Sequence, residues 1–357
     1  MLLLHRYLLR EFLRAWGLTF GALVVVSQAI DIFARLRRDA MPLTPGPFAA
    51  YLLFHFGQTV LILVPIATLM GAIISLGLLG KRRELLAMRS AGLSPWRIAL
   101  PFLLFGALTS GLLAAANWTV IPIATRQAEL IKDAAAGRDT TALFGQNRLW
   151  LQADRQRLMN IQLVHPTEAL LYGVTLYQLA PDFSLTELTE AASIHYRDGR
   201  WWISSGTRWR FLDDGSVITD ALHEAPIELN KQPSDFRDVV IDPDEMDGRQ
   251  LTHYISQLRR SGIDSARYEI NYHAKLAVPS ITAVLMMIGV ALGLQGGRWS
   301  HMARNIGLAI MISIAYALTH AYAVALGLQG VLPAPLAAWL ANGLLVLVGA
   351  GLLVRVR

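Results

Sequence analysis

Arg35, Arg37 and Arg38 crowd together just beyond an uncharged apolar stretch, and Arg6, Arg10 and Arg14 precede it. Guanidinium groups are planar, permanently charged forks that hold phosphate or carboxylate in two-pronged fashion. At the end of an apolar helix they can grip the phosphates of a lipid headgroup. The plainer alternative is that they snorkel to the interface. A second concentration runs from Lys81 to Trp96, where Glu84 sits among Arg82, Arg83 and Arg89. It reads either as an ion pair within one loop, worth about 0–1 kcal/mol when exposed, or as a short docking helix that takes motion from a partner. A third set is polar and lies inside or at the ends of apolar stretches: Gln28, Asp31, His55, Gln58, Asn117, His320 and Asn342. Such groups face a bundle interior or a cavity, and hydrogen bonds between helices are their expected use.

Covalent and metal chemistry is not indicated. The chain has no cysteine, which removes disulfides, thiolate metal sites and thiol nucleophiles. Its nine histidines are scattered singly. There is no G-x-x-x-x-G-K-[ST] phosphate loop, no H-E-x-x-H and no G-x-S-x-G. Ser204-Ser205-Gly206 falls in an expected strand or hairpin rather than at a nucleophile elbow. The chain is read as a non-enzyme that binds no cofactor of its own.

The elements that position these residues are mostly membrane-grade. The chain is 54% hydrophobic and 16% charged, against about 25% charge in soluble domains. Three apolar blocks, around Ala15–Ile30, Phe48–Leu79 and Ile98–Thr125, precede a polar region. Leu276–Gly297 and Asn305–Val354 follow it, the latter divided by Gly330-Val331-Leu332-Pro333-Ala334-Pro335. About 20 apolar residues suffice to cross the hydrocarbon, so six spans are expected, three on each side. Pro65 should kink the second, and Gly71, Gly77 and Gly80 offer small surfaces for close helix contact. Residues 1–125 would hold spans one to three with the basic segment 81–96, residues 126–250 a β-domain, 251–275 a connecting helical segment, and 276–357 spans four to six.

Within the polar region, Leu149–Gln152, Leu158–Val164, Tyr172–Leu179, Ala192–Tyr196 and Trp201–Ser204 read as strands. Asp198-Gly199 and Asp214-Gly215 are hairpin signals, each followed by a strand-like run. Short strands with such turns favour a sandwich or open barrel. Residues 126–273 carry 16 basic and 22 acidic side chains, and the rest 16 basic against 4 acidic. The one soluble domain is thus acidic, which argues against nucleic acid. Basic residues concentrate at the N-terminus, in the loops after spans two and four, and at Arg355 and Arg357. That bias places both termini in the cytoplasm and the β-domain outside, in the periplasm of a two-membrane bacterium.

Several stretches resemble one family over essentially the whole chain. Arg82-Arg83-Glu84-Leu85-Leu86-Ala87-Met88-Arg89-Ser90-Ala91-Gly92 resembles the coupling helix of the lipopolysaccharide export permeases, the LptF/LptG family. Leu251-Thr252-His253-Tyr254 through Arg259-Arg260-Ser261-Gly262, and Ala266-Arg267-Tyr268-Glu269-Ile270-Asn271, are similar too. Arg267-Tyr268 and Leu36-Arg37-Arg38 look more like the LptG branch than the LptF branch. The resemblance implies a permease of the bacterial inner membrane that extracts lipopolysaccharide from the outer leaflet. It implies a second such permease beside it (LptF), and a cytoplasmic ATPase dimer (LptB) that uses the ATP. The inserted domain becomes a β-jellyroll leading to a periplasmic bridge through LptC and LptA. Glu84, with Arg82, Arg83 and Arg89, becomes the ATPase-coupling group, and Arg35, Arg37 and Arg38 the lipid-phosphate group. Asp31 departs from the pattern, standing where a basic residue would suit that site. Outside the LptG branch the alternatives are an LptF-type subunit, another transporter permease, or a membrane enzyme acting on lipid headgroups.

Overall fold

The computed structural model describes residues 2–36, 45–135, 142–145, 148–154, 156–164, 169–180, 184–212, 215–227, 229, 232–233, 242–260, 264–295 and 302–355. Six of its helices are long and apolar enough to span a bilayer. In chain order the elements are α1 (Leu2–Leu36), α2 (Pro45–Lys81), α3 (Glu84–Ser90) and α4 (Pro95–Ala135). Strands β1 (Ala142–Gly145), β2 (Arg148–Asp154), β3 (Arg157–Val164), β4 (Leu170–Leu179), β5 (Leu185–Arg197), β6 (Arg200–Phe211) and β7 (Val217–Ile227) follow. Then come α5 (Gly248–Arg260), α6 (Ala266–Gln295), α7 (Met302–Leu328) and α8 (Ala334–Val354). The expected membrane bundle, interrupted after its third span by a β-domain, is present. Helix α4 continues past Thr125 because its next residues, among them Gln127, Glu129 and Lys132, favour helix, and Gly137 is the first breaker. The Lys132 ammonium also meets Glu129 at 2.6 Å one turn away.

The chain divides into two compact units. One comprises Met1–Ala136, Pro243–Leu251 and Ala266–Arg357; the other comprises Gly137–Asp242 and Thr252–Ser265. In the helical unit α2 and α6 are central: 61% of the apolar window of each is buried within the chain, against 6% for α1 and 11% for α7. Their close approach depends on small residues. A Cβ on Gly289 would lie 2.9 Å from the Leu69 carbonyl oxygen, and one on Gly293 would lie 2.8 Å from the Leu76 side chain. Gly71 lets α1 come equally close through the backbone of Trp16, and Trp16 Nε1 donates to Thr68 Oγ1 at 3.3 Å. Between helices in lipid, van der Waals packing and such hydrogen bonds replace the hydrophobic drive.

The β-unit is one seven-stranded antiparallel sheet in which every strand pairs with the next in sequence. All five strands expected from the pattern are present and longer than expected. Asp198 and Gly199 both take positive φ (53° and 80°) and close the two-residue β5–β6 hairpin, as a type I′ turn requires. Gly215 (φ 81°) lies in the β6–β7 turn; Asp214 lies outside the described residues. One face is apolar, with Met159, Ile161, Val174, Leu176, Ile194, Trp201 and Ile203 buried together. The alternation breaks at one level across the sheet. Ile161 and Val164, Leu171 and Val174, and Ala191 and Ile194 are buried pairs three residues apart. Gly173 and Glu224, with φ of 59° and 44°, accommodate that break in β4 and β7. A shared irregularity of this kind bends a sheet rather than unpairing it.

Candidate functional site

The basic segment after α2 is built by a tight turn. Arg83 adopts left-handed φ/ψ (61°, 11°) and starts α3 without a side-chain cap, a conformation that costs a non-glycine residue about 1–2 kcal/mol. Leu85 anchors α3 by packing into the cluster of Leu8, Phe12, Leu79, Ile98, Phe102, Leu294 and Leu353. That burial leaves Leu86 and Trp96 exposed. Glu84 is turned toward α1: Tyr7 donates its hydroxyl to Glu84 Oε2 at 2.7 Å, and Arg82 Nη1 lies 3.9 Å from Oε1. Arg82 is also 3.9 Å from Glu11, which accepts from Arg14 at 3.0 Å. Glu84 is therefore joined both to its own loop and to the first helix. Arg89 reaches elsewhere, its Nη2 donating to the Leu294 carbonyl at 3.4 Å. A cation there complements the negative end of α6. The segment is thus joined by named contacts to α1, through Tyr7 and Glu11, and to the end of α6, through the Leu294 carbonyl.

Of the three arginines expected to meet lipid phosphate, Arg35 lies in α1, and its side chain lies outside the description. Arg37 and Arg38 lie outside the described residues, as does Arg298 of the loop after span four. The structure thus brings Glu84 and Arg82 together, places Arg83 at the turn, and sends Arg89 to a helix end.

Two of the seven intramembrane polar residues, Asn117 and Asn342, are seen to hold helices together. Asn117 Nδ2 donates to the Lys275 carbonyl at 3.0 Å. Asn342 Nδ2 donates to the Ala277 carbonyl at 2.6 Å and to Ser280 Oγ at 2.7 Å, joining α8 to α6. His55 stacks on Tyr51, and His320 on Tyr316, each one turn away on its own helix. Sequence reasoning passed over Tyr7, whose partner is 77 residues distant. Its one signal was position: Tyr7 and Glu11 are one turn apart near the start of α1. Lys275 was passed over as well. It lies in α6 with only 3% of its surface exposed.

Six lipid-length helices among the described residues, a bonded basic segment after the second and an inserted antiparallel sheet define a polytopic membrane protein. The family of the lipopolysaccharide export system permease LptF/LptG matches residues 6–355, and the chain belongs to that family. It is 25% identical over 295 residues to the lipopolysaccharide export system permease protein LptG of Escherichia coli K12, covering 81% of this chain and 80% of that one. To the protein of the same name from Haemophilus influenzae it is 26% identical over 236 residues, 64% of this chain and 63% of that one. Membership and the six apolar helices make it a multi-pass inner-membrane protein.

Proposed function

We propose that this chain is the LptG-type permease of a transporter that lifts lipopolysaccharide from the outer leaflet of the inner membrane to a periplasmic β-jellyroll bridge. Several acyl chains cannot pass through water, since each exposed CH₂ costs about 0.8 kcal/mol, so the route must stay apolar. The observation that carries the reading is the uneven burial of the spans: α1 and α7 are left almost uncovered by their own chain. In this reading those two helices meet their counterparts on a second permease, LptF, and line a cavity open to the outer leaflet. Arg35 in the last turn of α1, with Arg37 and Arg38 that follow it in sequence, takes the lipid phosphates. Glu84, held by Tyr7 and Arg82, receives the closing motion of a cytoplasmic ATPase dimer, LptB, with Arg83 and Arg89 completing the contact. The chain needs no nucleotide site, because ATP is used on that partner. The β-unit, in the periplasm with both termini in the cytoplasm, delivers the chains toward LptC and LptA.

Copurification from the native membrane is the test. An ATPase and a second six-span protein should accompany the chain, and retained lipopolysaccharide should be recovered with the complex. A lone chain active on lipid headgroups would contradict the reading.

A further inference from the structure

The apolar face of the sheet stops short of the strand ends. Met159, Leu176 and Thr189 stand side by side across β3, β4 and β5, all buried, and Arg208 of β6 continues the row. Two residues further along each strand, the same face carries Arg157, Gln178 and Glu187. Apolar surface thus gives way to charge within one step of the pleat. A cleft of about 250 Å³ lies at this border, lined by Arg157, Glu187, Thr189 and Arg208 and, on its apolar side, by Leu176 and Ile227. Ile227 pairs with Trp201, at the far end of β6 from Arg208, so the sheet bends over to bring both to one cleft.

The charges here are incompletely matched. Arg208 Nε lies 3.2 Å from Glu187 Oε1, but the two are misaligned: this N–H is shielded from solvent and donates no hydrogen bond. Glu187 Oε1 also accepts from Thr189 Oγ1 at 3.4 Å. Asp220, opposite Arg208 on β7, is taken by Arg210 at 2.8 Å. Among the described lining residues two guanidinium groups face one carboxylate. A buried donor without an acceptor is costly, and an incoming oxyanion supplies the acceptor. Guanidinium forks match phosphate geometry. Together with the Thr189 hydroxyl they offer more donors than the two oxygens of a carboxylate use, and suit the three oxygens of a phosphate monoester. Sites that enclose drug-sized ligands measure about 300–1,000 Å³, so this cleft takes a headgroup fragment and not a whole lipid.

We propose that the cleft binds a phosphate monoester carried on an amphiphile. Arg208 and Arg157 hold the phosphate oxygens in place of Glu187, and Leu176 and Ile227 cover the first methylenes attached to them. The site stands on the geometry of the β-unit; only its use for export cargo rests on the export reading.

Hydrogen exchange on the purified full-length chain in an uncharged detergent reads the site locally. Hexyl phosphate should protect residues 187–189 and 207–209, with half-protection at a concentration about tenfold below that of inorganic phosphate, as burial of about two methylenes implies. Arg208→Gln should raise that concentration by about tenfold or more, through loss of charge-assisted hydrogen bonds. Glu187→Gln should lower it severalfold, because the amide keeps the shape and ends the competition for Arg208. The double variant orphans neither charge; it should unfold at the temperature of the unaltered chain and bind no better than Arg208→Gln. Unchanged protection in Arg208→Gln, or weaker protection in Glu187→Gln, would overturn the site, since an ion pair serving only the fold has no reason to respond with opposite signs. Equal affinity for inorganic phosphate would assign the cleft to free phosphate and overturn the amphiphile. None of these readings depends on the cargo, whereas absence of lipopolysaccharide export from the unaltered complex would overturn the export reading alone.

Discussion

Helices α2 and α6 differ from α1 and α7 in what surrounds them, although all four are apolar enough to cross a bilayer. The first pair is 61% buried in its apolar windows and meets through glycines that leave no room for a Cβ; the second is 6% and 11% buried. Gly17 and Gly21 on α1 and Gly307 on α7 have nothing within 4 Å of where a Cβ would stand. Apolarity therefore does not say which helix is core. The inner pair holds one chain together, and the outer pair presents Leu18, Val25, Met311 and Leu318 outward. An exposed apolar face in a membrane is covered by lipid or by another protein, and the export reading assigns it to a second permease.

The largest effect should come from reversing the small-residue contacts of the inner pair. Gly289→Leu should destabilise the chain by about 1–3 kcal/mol or prevent accumulation, because the added atoms meet backbone. Gly21→Leu should leave thermal unfolding of the isolated chain in detergent unchanged. Equal loss in both variants would erase the distinction between the two pairs.

Next in size is Glu84→Ala, which removes the Tyr7 and Arg82 contacts together. We expect loss of lipid-stimulated ATP turnover, or of ATPase copurification, while six-helix folding is retained. Tyr7→Phe sharpens this. It deletes one hydrogen bond, worth about 0.5–1.5 kcal/mol, and should weaken coupling while leaving ATPase association intact. Normal transport by Glu84→Ala would return the residue to an ordinary loop ion pair.

Charge reversal at Arg37 and Arg38, both to Glu, should abolish most lipopolysaccharide crosslinking from the end of α1. Undiminished crosslinking there would remove those arginines from the phosphate site. The smallest effect belongs to Asn342→Leu, which breaks the α8–α6 bonds. Hydrogen bonds between membrane helices average about 0.6 kcal/mol, so a modest fall in unfolding temperature with normal export is expected.

How far these features could be read from residues alone depended on their range. The β5–β6 hairpin was legible because Asp198-Gly199 encodes its own backbone. The six spans were legible because length and apolarity are local properties. The face switch shared by β3, β4 and β5 was not, since a buried pair three apart resembles noise in any single strand. The partner of Glu84 was equally hidden: nothing near residue 84 points to Tyr7. Lys275 looked like the last polar residue before a span, and its burial, with 3% of its surface exposed, depends on tertiary packing that no local pattern announces. The basic run from Lys81 was visible as charge, but its division into a turn residue, an acid partner and a helix-end cation required the packing of Leu85.

The central claim is that α1 and α7 are faces for a second permease. Photoreactive residues placed at Leu18, Val25, Met311 and Leu318 in the native membrane measure this most directly. The account predicts protein adducts with a second six-span chain at these positions, and no such adducts from the interior positions Leu76 and Ile288. Capture of lipid alone at all four outward positions would contradict it.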